Sequence, residues 1–528
     1  MKQLYFGAKI LTLAEPLYAE AVLVEDGKII DIGKLCELRS KCKPDEPIQE
    51  IDLGGGVLMP SFIDAHGHFI SVAANFAYPI LRGARSYDEI KTRITDFIRE
   101  NEIEAGKWIV AKSYDENLLP NAVHPTLAEL DAICPENPLY ISHTSGHAGL
   151  YNSRALELIG ITPSTPVGTG EIAVDANGRM TGYMSEGANT FCSSKIPPLD
   201  VDTLTKNVLP AQNKYASYGI TTVQDGFLGK RALDIYLELT KKDVLKLDVI
   251  GFAPLKTYDS LCEYLAGVEH DDRVKIGGIK GFIDGSPQLR TAFVRKPYLN
   301  SDEKDCGAPV RDFDFICELM KTAAEENAQP IIHANGDMAI EWFLNALEKA
   351  AETHPNIKEL RPVIIHGQLM GADQLPRARE LGAVVSFYVA HTYHFADAHI
   401  RNLGIERAKK ISPTRSALKE GVHFTFHQDA PVIEPDMIET LWCATNRISR
   451  DGVHLEGEEI SVLDAIRAVT VEAAYQYGEE DIKGTIEAGK LADFVLLDRD
   501  PLSTPKEDLR DVKILRTFKR GECIFEAK

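Results

Sequence analysis

Between residues 57 and 430 the chain repeats one pattern, in which a short apolar, β-branched run is followed by a longer amphipathic stretch. Stretches such as FDFICELMKTAAEENA and DMAIEWFLNALEKAAETH have helical spacing. This alternation predicts parallel βαβ units, and eight strands is the number that closes a (β/α)8 barrel. A doubly wound open sheet is the alternative, but no GxGxxG follows the first strand. The eight runs are VLMPSFIDAHGH, GITTVQDG, LDVIGFAPL, VKIGGIKGFIDG, AQPIIHANG, RPVIIHGQL, GAVVSFYVA and GVHFTFHQDA.

The two ends of the chain differ from this middle part. Residues 1–56 and 484–528 both alternate short apolar runs with turns, which predicts that they pair into one small β domain outside a barrel of residues 57–483. Residues 70–205 form a long interval, rich in Pro, Gly and Asn, between the first and second barrel strands. So long a connection predicts an inserted subdomain that covers the active-site face of the barrel.

Charge and composition exclude several classes of protein. The formal net charge of −21 disfavours a nucleic-acid binder and a protein that docks on anionic membranes, since both need positive surface. The N-terminal residues lack a signal-peptide pattern, and no stretch reaches transmembrane length without charge. The nine cysteines are scattered, which is typical of reduced thiols and predicts a cytoplasmic protein. The oligomeric state is open, with a homodimer as one alternative.

Polar side chains follow or end the predicted strands, and the carboxyl ends of barrel strands meet at the face where chemistry occurs. His66 and His68 are two residues apart in an extended segment, so both side chains face the same side. Histidine and carboxylate groups are the ligands that divalent metals such as zinc use. The predicted constellation is His66 and His68 at strand one, Lys280 in strand four, His333 at strand five, His366 at strand six and Asp429 at strand eight.

Each of these residues alone has an ordinary structural explanation. A histidine after a β-branched run is often a hydrogen-bonded core residue. Asp429 precedes Ala-Pro and would serve equally as a helix cap, and Lys280 would pair with a carboxylate or extend to solvent. Coincidence at all these strand ends is much less expected than at one, so the joint pattern favours a metal centre.

This constellation resembles the amidohydrolase superfamily, and within it the YtcJ-like branch (amidohydrolase family 3) that includes N-substituted formamide deformylases. The resemblance extends over nearly the whole chain, and the joint order of its motifs is far more specific than HxH alone. The motifs are PSFIDAHGH, GHAGLYNSRAL, GEIAVDANGRMTGYMSEGA, YGITTVQDG, IKGFIDGSPQLRTA, IIHANGD, VIIHGQ, QDAPV and GTIEAGKLADFVLLD.

The resemblance implies a (β/α)8 barrel, a β-sandwich made from both termini, and a hydrolase that uses two divalent metal ions, with zinc expected. In similar enzymes the residues that match His66, His68 and Asp429 hold one ion, and those that match His333 and His366 hold the second. The lysine that matches Lys280 is carboxylated by CO2, and its carbamate bridges the two ions. A carbamate has two anionic oxygens, whereas an amine or ammonium group cannot bridge two cations.

The predicted reaction is hydrolysis of an amide, N-acyl or N-formyl C–N bond in a small molecule, because two close metal ions lower the pKa of a shared water to about 7. Asp429 would take the proton of that water and deliver it to the leaving group. The resemblance also suggests His391 as a group that steadies the oxyanion and His147 as a substrate contact from the insertion. Asp284 and Arg290 would contact a polar substrate group or pair with each other across a turn.

The chain departs from its relatives at three places around the predicted pocket. His427 and Gln428 replace the usual Gly-Ser before the aspartate, Tyr388 and Val389 replace Gln-Pro, and Ile365 replaces Glu. These changes affect the expected substrate and leave the six predicted ligands intact, with His427 as an unfavoured competing ligand. The alternatives are a deaminase or a lactone or ester hydrolase on the same barrel, and a non-catalytic relative that has lost its metals.

Overall fold

The protein, described by a computed structural model, forms two compact units. One unit comprises residues 1–71 and 208–528, and the other comprises residues 72–207. No helix in the described part of the chain has the length and apolar character needed to cross a membrane. The described residues are 2–41, 47–143, 148–167, 170–299, 301 and 304–528.

An eight-stranded sheet dominates the larger unit, and all its strand pairs are parallel. Neighbours in the sheet are neighbours in the sequence, as in a (β/α)8 barrel. Beyond the strands, the His68 N–H donates to the Ala430 carbonyl at 2.9 Å, which joins the segments that follow the first and last strands. The strands are β1 (Phe62–Ile63), β2 (Ile220–Asp225), β3 (Asp248–Pro254), β4 (Val274–Phe282), β5 (Gln329–Ala334), β6 (Val363–His366), β7 (Val384–Phe387) and β8 (Phe424–Phe426).

Helices connect these strands, and their apolar faces are buried as the amphipathic spacing predicts. In the helix Phe313–Glu325, for example, Ile316, Leu319, Met320 and Ala323 are buried, and the Asp312 side chain caps the first turn by accepting the Phe315 N–H at 2.8 Å. The helices of this unit from β2 onward are Lys230–Lys241, Tyr258–Ala266, Phe313–Glu325, Asp337–Thr353, Gln374–Glu380, His391–His394, Ala396–Leu403, Ile405–Ala408, Thr414–Glu420, Met437–Asn446, Val462–Ala468 and Val471–Gln476.

The first apolar run, predicted as one barrel strand, is divided at Ser61. Its first part, Val57–Pro60, pairs antiparallel with Phe494–Leu497 near the C-terminus, and only Phe62–Ile63 joins the parallel sheet. Proline at position 60 has no N–H for a further ladder bond, which marks the end of the first segment.

Strands from both ends of the chain form two further sheets in the larger unit. One apolar cluster contains Tyr5 and Val22 from the first sheet together with Leu58, Phe494 and Phe518 from the second. The first sheet has the order Lys28–Gly33, Ala21–Glu25, Lys2–Phe6, Ile48–Asp52; the second has the order Glu522–Glu526, Ile514–Lys519, Phe494–Leu497, Val57–Pro60, Lys9–Leu11, Tyr18–Ala19.

A buried ionic network links the terminal strands to the start of β3. The Asp248 carboxylate accepts hydrogen bonds from Lys519 at 2.6 Å and lies 2.5 Å from Lys483. Lys519 also donates to Asp493 at 2.7 Å, and Lys483 donates to Glu479 at 2.6 Å. All these side chains are almost fully buried, so each charge depends on its partners for the solvation it has lost.

Arg447, which follows the helix Met437–Asn446, is fully buried and forms no ion pair with a carboxylate of the described residues. Its guanidinium group instead donates to the main-chain carbonyls of Lys409, Ile411, Ser412 and Leu455 at 2.7–3.2 Å. The side chain therefore holds the loop after the helix Ile405–Ala408 against the loop that precedes the helix Val462–Ala468.

The smaller unit has a mixed sheet with its own apolar clusters. The sheet order is Ile172–Val174, Met180–Ser185, Ala148–Tyr151, Leu139–His143, Ile109–Tyr114. Its helices include Tyr87–Glu100, Leu127–Ile133, Ser153–Ile159 and Glu186–Ser193.

Candidate metal centre

The two histidines after β1 have different surroundings. His66 is buried, and its Nδ1 lies 2.5 Å from the Gln224 side-chain oxygen in β2. The Gln224 amide nitrogen donates to the Ala65 carbonyl, so its oxygen is the atom that faces His66. His66 Nδ1 therefore carries the proton, and the lone pair of Nε2 is available as a ligand. His68 is a quarter exposed, with its ring centre 5.2 Å from that of His66.

The carboxylate of Asp429, three residues beyond β8, faces these histidines. Its Oδ1 lies 3.2 Å from His68 Nε2 and 3.5 Å from His66 Nε2, and its Oδ2 lies 3.9 Å from His366 Nε2. Asp429 (φ 53°) and His366 (φ 74°) both have left-handed backbone, which costs free energy in residues other than glycine and occurs preferentially at functional sites. The ends of β1, β6 and β8 thus direct donor atoms to one point.

The histidines of β5 and β6 form a second close pair. His366 Nε2 lies 3.1 Å from His333 Nδ1. His333 Nε2 lies 3.0 Å from both the Gly285 carbonyl and the Asn335 side-chain nitrogen. With its proton on Nε2 the ring donates to the carbonyl, and the Nδ1 lone pair then faces His366. A cation in contact with both nitrogens would satisfy both lone pairs.

Lys280, inside β4, completes the group. Its Nζ lies 3.4 Å from His66 Nε2 and 4.9 Å from the ring centre of Phe282. The side chain is buried and forms no ion pair with a carboxylate of the described residues. Burial lowers the pKa of Lys280 to about 7, although Asp429 opposes this shift, so a large fraction of the amine is neutral at neutral pH.

Burial has the same effect on the histidine rings, because a charged ring is poorly solvated there. It lowers the pKa of His333 to about 4, and it holds those of His66 and His366 well below the usual range. Burial opposes ionisation of Asp429, but the hydrogen bond from His68 and the neighbouring imidazoles hold its pKa well below the usual range.

Neutral imidazole nitrogens with an ionised carboxylate are the donor set that divalent transition metals prefer, so these residues fit such an ion. Ligand atoms of His66, His366 and Asp429 all lie within 4.8 Å of one another. A second grouping, Asp115, Glu116 and His143 in the smaller unit, is partly exposed, and His143 Nε2 lies 2.7 Å from Glu116 Oε2.

Comparison with known proteins agrees with this geometry. A family model described as "Amidohydrolase family" matches residues 49–525. The chain belongs to the amidohydrolase family.

Sequence similarity to known proteins extends over nearly the whole chain. It is 28% identical over 550 residues to "Putative amidohydrolase YtcJ" of Bacillus subtilis (strain 168), covering 100% of both chains. It is 27% identical to N-substituted formamide deformylase of Arthrobacter pascens, covering 96% of this chain and 95% of that protein. A crystal structure of an uncharacterized metal-dependent hydrolase from Pyrococcus furiosus is 26% identical with a TM-score of 0.78, covering 95% of this chain and 100% of that one. The resemblance to the YtcJ-like branch, predicted from the motifs, is confirmed, and these relatives support a metal-dependent hydrolase.

Of the other predicted site residues of this amidohydrolase, two are buried, one is exposed and one lies outside the described residues. His391 is buried, with its Nδ1 3.2 Å from His399 Nε2 and its ring centre 4.3 Å from that of Tyr388. Arg290 is exposed, and it ends a short helical turn in left-handed backbone. His147 lies outside the described residues.

Asp284 is fully buried, and its carboxylate is occupied by main-chain donors. It accepts the N–H groups of Phe293, Asn335 and Gly336 at 2.8–2.9 Å, and its Oδ1 lies 3.6 Å from His333 Nε2. This arrangement favours a role in positioning the end of β5, the strand that carries His333, over direct contact with a substrate. Burial raises the pKa of Asp284 to about 7, against the main-chain hydrogen bonds that lower it.

Sequence reasoning missed the contacts that orient the histidine rings. His427, which the sequence analysis gave as a departure from the family pattern and an unfavoured competing ligand, has its Nε2 3.0 Å from His366 Nδ1 and its Nδ1 2.8 Å from Ser386 Oγ. It is therefore a partner of the predicted ligand His366. The sequence does contain a signal for Gln224, since a glutamine inside the apolar run ITTVQ is an unusual buried polar residue.

The other departures from the family pattern also have defined contacts. Gln428 turns away from the histidines and donates its amide N–H to Thr440 in the helix Met437–Asn446. The Tyr388 ring lies between those of His391 and His427, with centres 4.3 and 5.3 Å away.

Proposed function

We propose that this amidohydrolase is a metal-dependent hydrolase that cleaves the C–N bond of an amide, N-acyl or N-formyl compound of low molecular weight. The observation that carries the proposal is the convergence of ligand atoms of His66, His366 and Asp429 within 4.8 Å, beside the buried Lys280. The similarity to an N-substituted formamide deformylase supports the choice of bond.

The proposed metal ligands are those of the sequence analysis. His66, His68 and Asp429 would hold one divalent ion, and His333 and His366 a second, with zinc as the proposed metal. The lowered pKa of Lys280 supports its carboxylation, because the neutral amine is the form that attacks CO2. A bond then forms between Nζ and the carbon of CO2, the nitrogen loses a proton, and the carbamate carries the negative charge. Bound divalent ions would supply acidification of water and polarisation of the substrate carbonyl.

The protein's own groups would move the protons. Asp429, ionised and 3.2 Å from His68, is proposed to accept the proton of the attacking water and to pass it to the leaving nitrogen. His391 is proposed to steady the oxyanion; its Nδ1 lies 3.2 Å from His399, which leaves Nε2 to face a substrate.

Metal content is the first test. The protein is purified without chelator and with bicarbonate, and divalent ions per chain are counted by elemental mass spectrometry. About two ions per chain are expected for the binuclear centre. One ion would overturn the bridging role of Lys280 and favour a mononuclear reaction such as deamination. No ion, even after zinc is added back, would overturn the hydrolase proposal in favour of a non-catalytic protein.

Asp429→Asn tests the proton-transfer role. The variant should lose turnover of N-formyl and N-acyl amines while keeping at least part of its metal, because the amide cannot accept the proton. Asp481→Asn, the same change at an exposed aspartate, is the matched control and should keep wild-type activity. Near-normal turnover by the Asp429 variant would contradict the assigned role.

We also propose how the chain ends and residues 70–205 are arranged. The two terminal sheets, which share an apolar cluster, are proposed to form the β-sandwich of residues 1–56 and 484–528. Residues 70–205 are proposed to cover the active-site face, and their amide hydrogen exchange should then slow when a poorly hydrolysed substrate analogue binds. No change in exchange would contradict that placement.

A further inference from the structure

A cavity of about 400 Å³ lies beside Lys280, at the carboxyl ends of β2, β3 and β4. Its volume is within the range of pockets for small molecules. The last residues of β3 and β4 and the residues that follow β2 and β3 form part of the wall, and Arg311 with the first turn of the helix Phe313–Glu325 forms the rest. The lining side chains include Phe227, Leu255, Lys256, Phe282, Arg311 and Phe315.

Three phenylalanines give the cavity an aromatic wall. The rings of Phe227 and Phe282 are tilted, with centres 5.8 Å apart, and Phe315 lies across the cavity wall on the following helix. Phe227 is 51% exposed, so the described residues leave about half of a large apolar side chain uncovered at the cavity. An aromatic group of a ligand would cover this ring and would pack against it in tilted or offset geometry.

Two cations, Lys256 and Arg311, line the same cavity. Both are exposed, and neither forms an ion pair with a carboxylate of the described residues. The guanidinium carbon of Arg311 lies 5.4 Å from the ring centre of Phe315, which holds the charge against the aromatic wall. In a chain with a net charge of −21, two cations without carboxylate partners beside one apolar cavity favour an anionic ligand.

We propose that this cavity binds the non-reacting part of the substrate and that this part is an aromatic group with a carboxylate. The aromatic ring packs on Phe227 and Phe282, the carboxylate pairs with Lys256 and Arg311, and the scissile bond faces Lys280. The inference rests on the proposed function, since it names the substrate class of the same site.

Binding of two isosteric probes tests this inference. The full-length, zinc-loaded protein is titrated calorimetrically with 3-phenylpropanoate and with 3-phenylpropanamide, which differ in charge and share the aromatic ring. The carboxylate should bind roughly tenfold more tightly, the size expected for a hydrogen bond to a charged group at a partly exposed site. Arg311→Met and Lys256→Met should each reduce this preference, and Phe227→Ala should weaken both probes. Lys34→Met, at an exposed lysine of the N-terminal region, is the control and should bind as wild type does.

The outcomes separate this inference from the proposed function. If the two methionine variants keep the full preference for the carboxylate, the anion binds elsewhere, for example at the metal ions, and the inference is overturned. Hydrolysis of N-acyl amines with no preference for acidic aromatic compounds would also overturn it and would leave the proposed function intact. Selective, Arg311-dependent binding by a protein that hydrolyses no amide would support the cavity assignment and contradict the proposed function.

Discussion

His427→Phe should weaken zinc binding without unfolding the protein. His427 contacts the proposed ligand His366 but is not itself a proposed ligand. In the wild type, His366 Nδ1 has His427 Nε2 as its partner at 3.0 Å, which directs the His366 Nε2 lone pair to the centre. Phenylalanine fills a similar volume but accepts no hydrogen bond from the ring. The His366 N–H, buried with its ring, would lose its acceptor, at a cost of about 1–3 kcal/mol. That range matches the 10- to 100-fold loss of metal affinity that follows removal of a partner of a metal-bound histidine.

The assay is competition for zinc between the protein and a chelating dye, at a pH where the dye is calibrated. Ser386→Ala is the matched control: it removes the hydroxyl 2.8 Å from His427 Nδ1 but leaves the contact with His366 in place, so its zinc affinity should change by less than about threefold. The melting temperature of the metal-free proteins separates a metal effect from a folding defect. Zinc affinity of His427→Phe within twofold of wild type would refute the reasoning that His427 orients His366.

Three further predictions concern buried groups. Lys483→Met should lower the melting temperature at pH 7 through a loss of about 3–5 kcal/mol, because it removes one of the two lysine partners of each of the buried carboxylates Asp248 and Glu479. Burial opposes ionisation of Asp248, but Lys483 and Lys519 hold its pKa below the usual value. The ionised carboxylate therefore stabilises the folded protein above about pH 4, and this stabilisation is lost as the pH falls. The destabilisation caused by Lys483→Met should shrink from pH 7 to pH 3, and a constant effect would contradict this. Arg447→Met should cost about 3 kcal/mol or more in urea unfolding, since buried carbonyls lose their donor, and an unchanged midpoint would show that water replaces it. Asp284→Ala should lower both the melting temperature and the zinc affinity, whereas Arg290→Ala, at an exposed position, should change neither; equal effects would contradict the positioning role.

The sheet was predictable because its strands carry strong local signals. Runs such as RPVIIHGQL are apolar on both faces, as strands covered by helices must be, and the structure has a parallel strand at each of the eight runs. The division of the first run at Ser61 was not predictable from its apolar pattern. Val57–Pro60 and Phe62–Ile63 have similar composition, and their different sheets depend on a partner, Phe494–Leu497, that is remote in the sequence.

The common location of the candidate site residues was predictable from the sequence, but the orientations of their side chains were not. Residues at strand ends, such as His366 and Asp429, share a periodicity and an end of the sheet, and these give their side chains a common location. The ring orientations were not predictable, because they depend on side-chain contacts between strands, such as those of Ser386 with His427 and of Gln224 with His66. For the same reason the sequence did not show that main-chain amides occupy the Asp284 carboxylate.

The pairing of Val57–Pro60 with Phe494–Leu497 has a consequence for synthesis on the ribosome. The strand Val57–Pro60 leaves the exit tunnel roughly 430 residues before its partner, which is a delay of about 20–90 s at a synthesis rate of 5–20 residues per second. During that interval an apolar strand edge has no partner, next to the segment that leads into β1. Residues 72–207 have all their own sheet partners as soon as they are made, so the smaller unit can fold while the larger one waits. Chaperones that hold exposed strand edges are therefore expected to act on the first 71 residues.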